Sequence, residues 1–425
     1  MFFFYNLFLN IFVVLALPFF LVKLVTTEKY RKGLVQRLGI LPGEQIARIH
    51  GMQPIWVHAV SVGETVAAVP LVRALRRRYP EKKILVTTVT ETGNQIAKTR
   101  VKEADAVLFF PFDLSPIVKR VIRRVRPSLF ILMETEIWPN CIRTMHDLQV
   151  PVLVVNGRIS SASYRGYLGI RFLMRKVLGM VSIFSMQTEE DVRRIIDLGA
   201  PGPRVRRTGN IKFDRQVVPL SVEEKRSLRR DYLLPEQGEI LVAGSTHRGE
   251  DLPLIDTYIQ LRKEFPDLLF VLAPRHPERA DEAASLLMDK GLPYQRRSRP
   301  EPGKPVLLLD TVGDLSRLYG AGAVSFVGGS LVPSGGQNIL EPAVYGVPVV
   351  FGPHMENFPE ISTVIRQRGG GLQVRGPEEL LVVLGDLLRD PEKRMRIGEA
   401  GMRIIRENQG ALDKTLDLVA EFLKG

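Results

Sequence analysis

The stretch FVGGSLVPSGGQNILEPAVYGVPVVFGP, residues 326–353, reads as a buried strand running into two glycine pairs, Gly328-Gly329 and Gly335-Gly336. A helix then starts near Asn338. Glycines let a backbone approach a ligand closely, and a helix N-terminus favours phosphate. Glu341, three residues into that helix, is placed so that its two oxygens can accept bonds from a ribose cis-diol. Pro342 and Gly346 keep the helix short before the next buried strand. The pattern is that of a nucleotide pocket with no GxxxxGK[ST] loop, which argues against Mg-ATP chemistry. Purely structural glycine turns are the competing reading.

Outward from this stretch the chain alternates short β-rich runs with helical patterns. EILVA (239–243), LLFVLA (268–273), VLLL (306–309), AVSFV (323–327) and VPVVF (347–351) form one βα series. PIWVH (54–58), KILVTT (83–88), AVLFF (106–110), LFILM (129–133) and VLVV (152–155) form an earlier one, with a helix over 64–78. Such alternation predicts parallel, doubly wound sheets. The fold class expected is α/β: two Rossmann-like domains, over 30–218 and 236–400, facing a cleft at the carboxyl edges of their sheets. The charged stretch 219–238 marks the boundary. Helical patterns follow Pro391, and a C-terminal helix over 401–425 would pack back on the first domain.

With 425 residues, 45% apolar and 25% charged, the chain suits two domains with sizeable cores. The net charge of +13 requires an anionic partner: nucleic acid, membrane or a phosphorylated substrate. Basic runs at Arg76–Arg78 and over Lys119–Arg126 read as solvated helix faces or as lipid and phosphate contacts. No aromatic interleaving or nucleic-acid motif accompanies them, so no nucleic-acid partner is expected. One cysteine, Cys141, excludes an intramolecular disulfide and a cysteine-based zinc site.

Residues 1–22 carry no charged side chain and as a helix would extend about 33 Å, enough to cross a hydrocarbon core. Basic residues follow the run (Lys23, Lys29, Arg31, Lys32) rather than precede it, which places the body on the cytoplasmic side of an anchor. A span and a shallow interfacial anchor both stay open.

Four further segments hold chemistry. In HAVSVGET (58–65) a strand turns into a helix, with Glu64 in the first turn at the sheet's carboxyl edge. It can take a proton from an incoming hydroxyl, or simply complement the helix dipole. METEIWPN (133–140) offers Glu134 and Glu136, which point to opposite faces if the chain stays extended. Lys212 in TGNIKFD (208–214) can balance a carboxylate or phosphate, or be a solvated linker lysine. APRHPER (273–279) leaves a strand with Arg275, whose forked donors suit phosphate, and His276 as a further donor. The turn DTVGDL (310–315) opens another helix.

In this order HAVSVGE, ETEIWPN, GNIKFD, PRHPER and GGQNILEP resemble the Kdo transferases, the 3-deoxy-D-manno-octulosonic acid transferase family of GT-B glycosyltransferases. The likeness runs over nearly the whole chain. It implies an inverting, metal-independent transfer of Kdo from CMP-Kdo to a lipid A precursor at the inner membrane, with no cofactor. It implies that Glu64 is the general base and that Glu134 and Lys212 stabilise the transition state. Pro274, Arg275, Val312, Gly313, Asp314, Asn338, Ile339, Leu340 and Glu341 match the family's CMP site. The family commonly has GGHNPLEP where this chain has Gln337 and Ile339, so no cationic imidazole is available at 337. A membrane GT-B enzyme using a UDP-sugar and a silent nucleotide-binding scaffold are the alternatives.

Overall fold

The computed structural model describes residues 2–26, 31–214 and 218–423. The chain forms two compact units. One runs to Asp214 and takes up the chain again from Gln409; the other lies between, ending at Asn408.

The first unit is built on seven parallel strands: β1 (Ile55–His58), β2 (Ile84–Thr88), β3 (Ala106–Phe109), β4 (Leu129–Met133), β5 (Val152–Gly157), β6 (Ile183–Met186) and β7 (Val205–Arg207). Their order is β3-β2-β1-β4-β5-β6-β7. Helices cover both faces, so successive residues of one strand enter different cores. Trp56, Phe130 and Leu132 pack with Phe110 and Phe184 on one side. Ile55, Val57, Ile131 and Met133 pack with Leu71 and Leu75 on the other. The unit is closed by the chain's end. Helix Ala411–Ala420 joins the second of these cores through Leu416 and Val419, and Asp214 accepts bonds from the backbone N–H groups of Gly410 (2.6 Å) and Leu412.

The second unit repeats the plan with β8 (Ile240–Thr246), β9 (Leu269–Pro274), β10 (Tyr294–Arg296), β11 (Val306–Leu308), β12 (Val324–Val327), β13 (Val349–Phe351) and β14 (Gly371–Gln373). The order is β10-β11-β9-β8-β12-β13-β14, again all parallel.

Three sequence expectations change here. The stretch 219–238 holds helix Val222–Asp231, opened by a capping box between Ser221 and Glu224. Only Leu228 of that helix is buried, which is why its pattern looked like a linker. Helix Pro391–Asn408 runs through position 400, so the second unit continues to Asn408. The apolar N-terminal run continues as a helix from Phe2 to Thr26, past residue 22.

Candidate functional sites

In an open parallel sheet, ligands bind where strand order reverses, outside the carboxyl ends of the strands. In the first unit that point lies between β1 and β4. Glu64 follows the first of these strands, and Glu134 the second.

Helix Val62–Arg78 begins at Ser61, whose hydroxyl accepts the N–H of Glu64 (3.4 Å). The Glu64 carboxylate reaches back and accepts bonds from the Val60 N–H (2.7 Å) and the Ser61 hydroxyl (2.9 Å). The residue therefore caps its own helix, as the dipole reading expects. It is also 6% exposed, and burial, with Glu134 and Glu136 adding to it, pushes its carboxyl up to about 7 against the two local hydrogen bonds. A carboxylate so poised exchanges protons near neutral pH, which a solvated helix cap does not.

Glu134 departs from the extended geometry assumed for METEIWPN. Its φ of 55° lies in the left-handed region, and the chain turns as soon as β4 ends. The alternation that would send Glu134 and Glu136 to opposite faces is thus broken. Both carboxylates act electrostatically on Glu64, and burial, then Glu134, raises Glu136 in turn. A non-glycine residue at this φ is strained, and such residues cluster at functional sites. Lys212 Nζ lies 3.3 Å from Glu134 Oε1, so the linker reading of that lysine fails.

The lysine is held by a relay of buried amides that sequence reading missed. Asn156 accepts the Ile211 N–H through Oδ1 (3.0 Å), while its backbone oxygen accepts from Gln187 Nε2 (2.8 Å). Gln187 Oε1 accepts from Asn210 (2.9 Å), whose own Oδ1 accepts the Lys212 N–H (3.0 Å). Only the Ser61-x-x-Glu64 spacing was a readable signal among these supports. His58, at the start of the motif, is a core residue. It stacks on Phe110 at 3.8 Å, and burial lowers its imidazole to about 3.

In the second unit the order reverses between β8 and β12, and the site there is made of backbone. Glu250, fully buried, accepts the N–H groups of His247 (2.8 Å), Gly329 (2.6 Å), Ser330 (2.9 Å) and Leu331 (2.8 Å). It locks the loop after β8 to the glycine loop after β12, and no local pattern announced it. A Cβ on Gly328 would stand 2.5 Å from the Ser245 backbone oxygen, so glycine is required for this closeness.

The positions expected to hold the nucleotide fall in three places. Pro274 ends β9, and the Arg275 N–H donates to the Thr246 oxygen (2.9 Å). Arg279 is the structural member of the PRHPER turn, bonded to Asp251 and the Thr246 oxygen. In the second place, Asp314 accepts from Tyr232 (2.7 Å) and Thr311 (2.5 Å). The turn therefore offers an outside ligand the exposed Val312 and the left-handed Gly313, φ 110°. In the third, the helix is a single turn, Leu340–Ala343, that starts after Asn338 and so has Glu341 at its second residue, not three residues in. Ile339 and Leu340 are fully buried, backbone included, so they shape the turn from beneath rather than present a surface of their own. Gln337 Nε2 lies 3.2 Å from His247 Nε2, and burial lowers the His247 pKa. No cluster of three metal-ligating side chains occurs among the described residues.

Residues 32–215 match the model of the family "3-Deoxy-D-manno-octulosonic-acid transferase (kdotransferase)". The chain is 36% identical to 3-deoxy-D-manno-octulosonic acid transferase of Haemophilus influenzae, covering 99% of each. It is 35% identical to the Bordetella pertussis protein of the same name, covering 87% of each. Among solved structures, a UDP-GlcNAc 2-epimerase from Neisseria meningitidis bound to UDP-GlcNAc superposes with a TM-score of 0.56 at 13% identity, over 87% of this chain and all of that one. That likeness gives the fold, GT-B.

Proposed function

Because the chain belongs to the 3-deoxy-D-manno-octulosonic acid transferase family and is thus a glycosyltransferase that moves Kdo, we propose that it takes Kdo from CMP-Kdo and places it, with inversion and without a metal, on a hydroxyl of a lipid A precursor at the cytoplasmic face of the inner membrane. The observation that carries the reading is Glu64: a buried carboxyl raised to about 7, beside two further carboxylates.

In this reaction the acceptor hydroxyl gives its proton to Glu64 as its oxygen bonds to the anomeric carbon of Kdo. The bond from that carbon to the CMP phosphate breaks, and CMP leaves with the electron pair. Positive charge grows on the sugar ring and negative charge on the phosphate. The Glu134 carboxylate answers the first. Lys212, paired to Glu134 at 3.3 Å, offsets part of that carboxylate's charge and is itself a cation for the sugar's own carboxylate or the phosphate. The second unit holds the nucleotide: Arg275 for phosphate, backbone at Val312 and Gly313, and the Asn338–Glu341 turn for the ribose. A monophosphate leaving group carries less charge than a diphosphate, so arginine, lysine and N–H donors suffice.

Mass spectrometry of products from CMP-Kdo and a tetraacyl lipid A precursor tests the assignment. The expected product is the precursor plus Kdo, formed in the presence of a chelator. Failure of that acceptor, with transfer to another lipid, would overturn it.

A further inference from the structure

Helix Phe2–Thr26 is the one helix among the described residues that is long and apolar enough to cross a membrane. Phe3, Phe4, Phe8 and Leu15 of this helix are each 70% or more exposed. Its N-terminal end, however, is not loose. The face bearing Phe2, Tyr5, Asn6 and Leu9 is half-buried. Tyr5 donates to Asp113 Oδ2 (3.1 Å). Asn6 and Asn140 exchange a reciprocal pair of amide bonds, 3.0 and 2.8 Å. Phe2 packs against the first unit's core under the Arg143 guanidinium, 4.6 Å from its ring. The socket is itself built in: Asp113 is buried and also accepts the N–H groups of Asn140 (3.0 Å) and Cys141 (2.8 Å) at the start of helix Pro139–Asp147.

The chain beyond the helix returns to the same neighbourhood. The Phe112 N–H donates to the Arg37 oxygen (2.9 Å), and the Phe109 N–H to Gln36 Oε1 (2.9 Å). Departure point and return point thus both lie on the segment 109–113. From Asn6 to Thr26 the helix travels about 30 Å, and the residues from Thr26 to Leu34 can cover about 28 Å on the way back. A bilayer core is also about 30 Å thick. A span would put the Asn6 end on the far side of that core from Asp113 and Asn140, breaking the Tyr5 bond to Asp113 and both amide bonds between Asn6 and Asn140.

We propose that the apolar helix is a monotopic anchor: it inserts into a single leaflet with both of its ends on the side of the first unit, and Asp113, Asn140 and Arg143 form the socket that fixes it there. The occupant of its exposed faces is the acyl layer of that leaflet. Helix Ser115–Val125 starts two residues after Asp113 and turns Lys119, Arg120, Arg123 and Arg124 outward, as anionic headgroups require. This inference does not depend on which sugar is moved.

The test uses the full chain in membrane vesicles, with a protease-cleavable tag before Met1 and another after Gly425, since the chain's end belongs to the first unit. The expected result is that both tags are cut in vesicles of the same orientation. Cutting of the two in opposite orientations would establish a span and overturn the proposal. A second measurement avoids added sequence: Phe2→p-benzoylphenylalanine, irradiated in membranes, is expected to cross-link to the peptide containing Arg143. Cross-links to lipid alone would also overturn it.

Discussion

Both units are seven-stranded parallel sheets, and in both the strand order reverses beside the first strand of the series. What stands at that point differs. The first unit places side chains there: Glu64 after β1, Glu134 after β4, and Lys212 brought onto Glu134. The second places backbone there, with glycines after β12 tied by the buried Glu250 to the loop after β8. On the proposed reading, one architecture would serve proton transfer in one copy and nucleotide holding in the other, because the sheet fixes only where loops emerge and leaves their chemistry to a few residues.

Glu64→Gln should break the first half of this contrast most severely. Loss of a general base lowers turnover by about 10²–10⁴-fold, while stabilisation by CMP in a thermal-shift assay should persist because the second unit is untouched. The same variant should be more stable than the parent at alkaline pH. A carboxyl raised from 4.5 to about 7 is bound by protons more tightly in the folded state, so it lowers stability progressively as pH rises from about 4.5 to 7. Removing it returns that loss above pH 7, on the order of 3 kcal/mol, with little gain near pH 4.5. Urea melts at pH 8 and pH 4.5 read both.

Next in size is the pair. Glu134→Gln and Lys212→Met should each reduce turnover by roughly 10²-fold. The double variant should lose much less than the product of the two, since the residues act as a unit. Full additivity in a double-mutant cycle would separate them.

Glu250→Gln should break the second half. The amide offers one acceptor oxygen to four N–H donors, and its own N–H₂ faces donors. Denaturant melts should show a loss of about 2–4 kcal/mol, accompanied by weaker CMP stabilisation. Smallest is the choice of base: CMP should raise the melting temperature of the parent protein more than UDP at equal concentration, and the reverse would favour a UDP-sugar donor.

Much of the fold was legible because buried parallel strands are continuous apolar runs, and LFILM or LLFVLA can hardly be read otherwise. The strands that escaped were mostly edges. VRR (205–207), YQR (294–296) and GLQ (371–373) are three residues each and half polar, since an edge strand has one side toward solvent. The glycine loop and Glu64 were visible as types at strand ends. Three things were not. The left-handed turn at Glu134 has no glycine to mark it. The amide relay through Asn156, Gln187 and Asn210 joins residues more than 20 positions apart. Glu250 reaches a loop 79 residues on. Tertiary hydrogen bonding leaves no local period in a sequence.

The central claim is that Glu64 takes the acceptor's proton, and the pH dependence of kcat/KM for Kdo transfer tests it most directly. The account predicts an acid limb with its midpoint near pH 7, activity rising as the carboxyl ionises, and no such limb in the residual activity of Glu64→Gln. A rate that stays flat from pH 5.5 to 8, or a limb that survives the substitution, would contradict it.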